Sequence, residues 1–383
     1  MHRLKLLCNQ NREGLTLNND PLFECDDQNF DALLVVSFGG PEGPDDVMPF
    51  LENVFRGLRV PDATKEKIAA RYQDFGGISP INGHTRDFIR ALEAELEQSK
   101  LDLPVYWGNR NWHPFLPDTM QQMVSDGIRN AAVYITSTFS SYSGCRKYRE
   151  DLFRACEGIS NPPQLRKLRA GWNHPGFIEA MSARVRAALG QVDEQHRATS
   201  KVLFTAHSLP HSMAEASPYV SQLEDACQSI AISLNLDNWS LVYQSNNARY
   251  GGEPWLGPDI SEALESEHSA GATAIVVAPV GFVCDHMEVV LDLDVEAAAK
   301  AAELGIEMIR AATVGTHPAY VGMVRALIEE RQQTTRAKQT IGTLPAKHDF
   351  CPADCCLSGR PGAPQPALCG SSTAAYFDRH SAQ

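Results

Sequence analysis

Short runs of apolar and β-branched residues alternate along this chain with longer stretches in which apolar positions recur every three or four residues. The first pattern reads as buried strand and the second as amphipathic helix. Residues 32–38, Ala-Leu-Leu-Val-Val-Ser-Phe, form the first apolar run, which breaks at Gly39-Gly40-Pro41. Helix is expected from about Asp45 to Phe55, through the sixties, and from His84 to Gln98. Short strands are expected at 105–108, 131–135 and 165–169, with a helix from Pro175 to Leu189. The pattern restarts at Val202 and repeats near 240–244, 274–279 and 306–310, before a last helix from about Pro318 to Gln332. Such alternation implies parallel sheets covered on both faces. The 31–37 and 200–206 segments look like equivalent beginnings, so the fold expected is α/β, with two similar doubly wound, Rossmann-like domains flanking a cleft. We place them at residues 31–180 and 181–332. Residues 1–30 lack periodicity and read as a disordered leader. Residues 333–383, rich in Gly, Pro, Ser and Cys, form a tail whose order has to come from a metal or from docking.

Two of the apolar runs end abruptly in chemistry. Lys201-Val-Leu-Phe-Thr-Ala-His207 delivers an imidazole to the carboxyl end of a strand, the edge at which open α/β sheets bind ligands. About eighty residues on, the run Thr273 to Cys284 breaks into Asp285-His286-Met287-Glu288. An imidazole and a carboxylate on two sheet-edge loops can share a pocket, bind a divalent metal and move protons. Glu288, Asp292 and Glu296 follow one another at four-residue spacing, so on a helix they stack along one face. Stacked like charges suit either a solvated surface or a path for cations. Their position next to the proposed pocket favours an inward path, to which His286 is a possible addition.

The charge balance narrows the partners. A net charge of −13 argues against nucleic acid and fits an acidic cleft that attracts cations. The contents of 43% hydrophobic and 21% charged residues are those of an ordinary globular protein. No apolar stretch approaches the roughly 20 residues needed to span a bilayer, and the start, Met1 to Cys8, has no secretion signal, so the expected location is the cytoplasm. There, ten cysteines suggest metal ligation more than disulfides, above all where Cys351, Cys355, Cys356 and Cys369 crowd the tail.

Six separated motifs resemble the ferrochelatases, which insert ferrous iron into a porphyrin. In order they are Ser37-Phe-Gly-Gly-Pro-Glu-Gly43, Gly76-Gly-Ile-Ser-Pro-Ile-Asn82, Gly108-Asn-Arg-Asn-Trp-His-Pro114, Thr205-Ala-His-Ser-Leu-Pro210, Pro254-Trp-Leu-Gly-Pro258 and Pro279-Val-Gly-Phe-Val-Cys-Asp-His-Met-Glu288. The resemblance covers roughly residues 31–332 and implies two chelatase-type domains. It also implies that His207 and Glu288 form the central pair for iron and protons, without saying which is the base. Metallation needs both a base and labile ligands, because two pyrrole protons leave as iron enters. Ser79 and Tyr148 correspond to positions facing the macrocycle or its propionates. Arg110 and Arg146 are candidate carboxylate partners. Glu42 stands where some bacterial relatives carry a Tyr, and it is read as either an oxygen ligand or loop decoration.

The tail adds a second expectation from the same resemblance. Some ferrochelatases bind a [2Fe–2S] cluster through one body cysteine and three C-terminal ones, which points to Cys145 with Cys351, Cys355 and Cys356. Cys156 and Cys369 are alternatives, and a zinc knuckle using His348 is the runner-up. The absence of an apolar insertion after Pro80, where Asn82-Gly83-His84 is polar, favours coproporphyrin III over protoporphyrin IX. The porphyrin is the expected partner, with neighbouring haem-pathway enzymes as further candidates. Two rival readings are cobalt insertion into a corrin precursor and a haem- or iron–sulfur-binding sensor without catalysis.

Overall fold

A computed structural model describes residues 29–369 apart from 198, 247–251 and 334–335, so the leader expected at 1–30 lies outside the described residues up to residue 28. Phe30, at its end, is already buried in the core.

Among the described residues, eight strands form two parallel sheets. The first contains β1 (Ala32–Ser37), β2 (Val105–Asn109), β3 (Asn130–Ile135) and β4 (Gln164–Lys167), in the order β2-β1-β3-β4. The second contains β5 (Lys201–His207), β6 (Trp239–Gln244), β7 (Ala274–Ala278) and β8 (Glu307–Arg310), in the order β6-β5-β7-β8. The two halves therefore repeat one topology. The continuous apolar runs follow from it, since β1 and β7 are buried at every position. Successive side chains point to opposite faces. Leu33 and Val35 of β1 join Val202, Phe204 and Val276 of the second sheet in one shared core. Leu34 and Val36 face a core that the first half shares with tail residues Cys351, Leu368 and Cys369, and Leu203, Ile275 and Val277 one private to the second half.

The helices of the first half are α1 (Val47–Val54), α2 (Asp62–Gln73), α3 (Ile81–Gln98), α4 (Leu116–Ser125), α5 (Lys147–Cys156) and α6 (Pro175–Leu189), with α1, α3 and α6 close to their expected bounds. The second half adds α7 (His211–Glu215), α8 (Tyr219–Leu234), α9 (Ile260–Ser269), α10 (Met287–Val289), α11 (Ala298–Leu304) and α12 (Pro318–Gln332). An expected boundary at 180/181 falls inside unbroken α6, which packs on α8, α12 and β7. We therefore propose drawing the junction ahead of Pro175.

A wider, π-helical segment follows the third strand of each sheet, at Tyr142–Arg146 after β3 and at Val290–Ala297 after β7. Such segments are rare and concentrate at functional sites. Here one carries Cys145 and the other carries Asp292 and Glu296.

Beyond α12 the tail has no further helix or strand among its described residues and is ordered by docking. Arg169, paired with buried Glu330 at 2.8 Å, also donates to the Gln339 carbonyl at 2.8 Å. Asn173 donates to the Leu344 carbonyl, and Asp225 accepts from the amide and hydroxyl of Thr343.

Candidate functional site

β5 lies inside its sheet, hydrogen-bonded to β6 on one side and β7 on the other, so His207 emerges at the middle of the carboxyl edge. Tyr219 donates its hydroxyl to the His207 carbonyl at 3.0 Å, and Ser208 is tied to Gln244 and Leu256. His207 Nδ1 is hydrogen-bonded to the Ser208 carbonyl. A carbonyl can only accept, so Nδ1 carries the proton and a neutral ring keeps its lone pair on Nε2. Nε2 faces the carboxylate of Glu288, with 3.7 Å between Nε2 and Oε2. That is too long for a hydrogen bond and short enough for strong electrostatic coupling.

Glu288 is brought there by a loop that crosses β5. Gly281 donates to the Thr205 carbonyl at 3.0 Å, and a Cβ at Gly281 would meet Ala206 Cα at 2.7 Å. Only glycine allows this approach. His286 then caps α10, its Nδ1 accepting the Glu288 amide at 3.2 Å, and Arg310 fixes Asp285 at 2.9 Å. His286 thus has a structural task at the helix start.

Along the π-helical segment, Asp292 accepts from Ser245 and lies 3.4 Å from Gln244 Nε2. Desolvation pushes its carboxyl up to about 6, opposed by the Ser245 hydrogen bond and assisted by the charges of Glu288 and Glu296. Glu296 is exposed and reaches Arg71 of α2 at 3.5 Å. Burial, together with the nearby Glu288 charge, raises the Tyr72 phenol well above its ordinary value. The first half therefore places α2 against the acidic line, two contacts that strand and helix periodicity did not signal.

The first sheet presents its own carboxyl edge. Ser79 is buried against Gly40, where a Cβ would meet the Ser79 Cβ at 2.6 Å. Tyr148 is buried beneath Arg110, whose guanidinium sits 4.5 Å from the ring centre. Arg110 is itself held by Asp151 at 2.6 Å, so its charge is already matched. The loop after β7 brings Cys284 close enough to influence both Tyr148 and Tyr134, which links the two sheet edges. Glu42 is paired with Arg86 at 2.6 Å. Arg146 departs from expectation: instead of serving a substrate carboxylate, it is buried with Glu150 and donates to the tail carbonyls of Ala353 and Gln365.

Residues 30–332 match the ferrochelatase family. The chain belongs to the ferrochelatases. It is 47% identical over 330 residues to a Rhodopirellula baltica ferrochelatase, covering 86% of this chain and 93% of that protein. It is 45% identical over 369 residues to a Streptomyces coelicolor coproporphyrin III ferrochelatase, covering 90% and 97%. A Nocardia farcinica protein of the same name is 43% identical over 358 residues, covering 89% and 99%. The six motifs fall within the matched region.

In this ferrochelatase the tail folds back onto α5. Arg149, fully buried, donates to the carbonyls of Leu368 at 2.9 Å and Cys351 at 3.3 Å. Its spacing of three from Arg146 was the one sequence sign of a shared helix face. Docking buries Cys351, Cys356 and Cys369 and brings Cys351 into hydrogen bonds with Cys145 and Cys355. Cys355 lies 3.5 Å from Cys356 and 3.8 Å from His348 Nε2. Cys156 points elsewhere, with its sulfur on Met120. Lys167, also buried, borders the same thiols.

Proposed function

We propose that this protein inserts Fe(II) into coproporphyrin III in the cytoplasm, giving Fe-coproporphyrin III for haem biosynthesis. The observation that carries the reading is the His207–Glu288 pair at the sheet edge, with Nδ1 on the Ser208 carbonyl and Nε2 3.7 Å from the carboxylate. The reaction exchanges one Fe(II) for two pyrrole protons. His207 Nε2 holds a lone pair that takes a proton or the incoming iron, and Glu288, half-exposed, hands over the cation or relays the second proton. Asp292 and Glu296 extend the negative line outward from Glu288 and raise the local cation concentration. Ser79 and Tyr148 border the macrocycle, and Arg110 acts through Tyr148, which it packs against while Asp151 neutralises it.

Relatives named for coproporphyrin III support that substrate. So does α3, which starts at Ile81 directly after Pro80 with no apolar insertion. Exposed Phe75 and Ile78 beside Ser79 favour the second reading, the less charged protoporphyrin IX. Fe(II) and Co(II) insertion measured in parallel with both porphyrins decides the matter. Iron insertion faster with coproporphyrin supports the proposal, and preference for protoporphyrin or for cobalt overturns it. No metal insertion at all would leave the sensor reading.

The donor set in the tail fits a [2Fe–2S] cluster. Burial alone would lower the pKa of Arg149 and Lys167, yet the thiols of Cys351, Cys145 and Cys369 hold both well above their usual values. Arg149 Nη1 is buried and lacks a hydrogen-bond partner. Two buried cations and an unused donor facing thiols are suited to an anionic centre. Cys145, Cys351 and Cys355 would hold it, with the fourth ligand from Cys356, Cys369 or His348. Such a cluster supplies a one-electron centre and a cross-link between tail and α5. Neighbouring haem-pathway enzymes are the proposed protein partners. Among the described residues no helix is long and apolar enough to cross a membrane.

A further inference from the structure

The sulfur site beside α5 contains a nitrogen. The ligand atoms of His348, Cys351 and Cys355 all lie within 4.8 Å of one another. His348 Nε2 is 3.8 Å from Cys355 Sγ, and Cys351 is in turn bonded to Cys145. Two ligands on one tetrahedral ion, with bonds of about 2.0 Å to nitrogen and about 2.3 Å to sulfur, stand roughly 3.6 Å apart. Chain packing alone has therefore set His348 and Cys355 near the separation of two ligands on the same ion. Cys145, Cys351, Cys355 and His348 form a contiguous set of four donors, one from the body and three from the tail.

Beside Cys369, the competing fourth ligand is Cys356. It follows Cys355 directly, with its sulfur 3.5 Å away. Two neighbouring residues share a single peptide link, so placing both sulfurs on one centre constrains both side chains together. Cys356 also has a backbone φ of 56°, which few residues other than glycine adopt. His348, three residues before Cys351, is not adjacent to any of the three thiols and reaches the same centre without that constraint.

We propose that His348 is a metal ligand, joining Cys145, Cys351 and Cys355 in a site of three thiolates and one imidazole, with Cys356 outside the ligand shell. The inference rests on the tail holding a metal centre, as proposed above. It has an electrostatic consequence for a [2Fe–2S] cluster. Two ferric ions, two sulfides, three thiolates and a neutral imidazole sum to one negative charge, and one-electron reduction makes it two. The reduced form then matches the two buried cations, Arg149 and Lys167. The cluster should accept an electron more readily than one in which a fourth thiolate adds a further negative charge.

The test uses the full-length protein purified without oxygen and reduced with dithionite. Pulsed electron paramagnetic resonance should show the strong nitrogen coupling of a directly bound imidazole. His348→Cys should keep the colour, lose that coupling and become harder to reduce. Cys356→Ser should keep both the colour and the coupling. The inference is overturned if the parent protein shows only the weak couplings of backbone amides. It is also overturned if Cys356→Ser bleaches the protein while His348→Ala keeps its absorption. A colourless protein with stoichiometric zinc would sink the cluster reading but not this one. X-ray absorption at the zinc edge would then decide, with three sulfurs and one nitrogen upholding His348 and four sulfurs rejecting it. Failure to bind either zinc or iron with sulfide would reject both.

Discussion

Replacing Asp292 with Asn should make the protein more stable and a poorer acceptor of iron. Burial moves this carboxyl from an ordinary 3.8 to about 6, even with Ser245 donating to it. At about 1.4 kcal/mol per unit, that displacement corresponds to about 3 kcal/mol as an upper bound. Residual exposure screens part of it, and the Asn carbonyl keeps an acceptor for Ser245, so about 1–2 kcal/mol is expected. The folded protein binds the Asp292 proton more tightly than the unfolded chain. Stability therefore falls as pH rises from 3.8 to 6, and above that range the whole penalty of holding an anion is present. Urea unfolding of parent and variant at about pH 5 and about pH 7.5 reads this directly. The advantage of Asn should be about half its full size at the lower pH, which lies midway through that window, and reach its full size at the higher one. The apparent KM for Fe(II) should rise several-fold while that for porphyrin stays put, and in the parent it should climb as pH drops below about 6. A variant less stable than the parent at the higher pH, or a difference that ignores pH, would refute the electrostatic reasoning. Equal effects on both substrates would return the acidic line to a merely solvated surface.

Four further outcomes are expected. His207→Ala should abolish insertion while leaving porphyrin binding within about tenfold, since one neutral contact is worth roughly 1 kcal/mol; Glu288→Gln should behave likewise, and near-normal turnover in either variant removes the pair from the mechanism. Gly281→Ala drives a methyl into the backbone at Ala206 and should cost about 1–3 kcal/mol by thermal unfolding together with a fall in kcat, because the loop carrying Glu288 has to lift off β5. Arg149→Leu leaves the carbonyls of Leu368 and Cys351 without their buried donor; hydrogen exchange and limited proteolysis should show the tail released while the sheets stay protected. Cys145→Ala should reduce bound metal in the purified protein more than Cys156→Ala does, and the reverse order would move the body ligand to Cys156.

The repeated topology gives the two halves different tasks from one plan. Each half follows its third strand with a π-helical segment. In the second half this segment extends the acidic line from Glu288, and in the first it sets Cys145 under the tail. The acidic line and the thiol site thus occupy equivalent places in two copies of the same unit.

Much of this was legible in the chain. A strand buried on both faces is apolar on both, so β1, β3, β5 and β7 announced themselves, whereas β4 (Gln-Leu-Arg-Lys) and β8 (Glu-Met-Ile-Arg) were read from their place in the alternation. The abrupt ends of two apolar runs exposed His207 and Glu288. The helices from Pro175 and Pro318 were read to their final residues because proline suits the first turn of a helix. The motif order alone pointed to the ferrochelatases. What periodicity cannot encode is which distant segment a buried face meets. Arg146 and Arg149 lie on the same helix as Tyr148, and nothing local says that both serve a tail some 200 residues away. Which of Cys145 and Cys156 meets the tail is of the same kind: Cys351 approaches the sulfur of Cys145, and Met120 that of Cys156. So is the closeness of His207 and Glu288, which depends on a glycine letting one loop lie on the neighbouring strand. The sequence by itself determined the elements and the residues offered at their ends, because those follow from local spacing and burial. Only the tertiary structure decided which of those residues meet, because that depends on the packing of segments far apart in the chain.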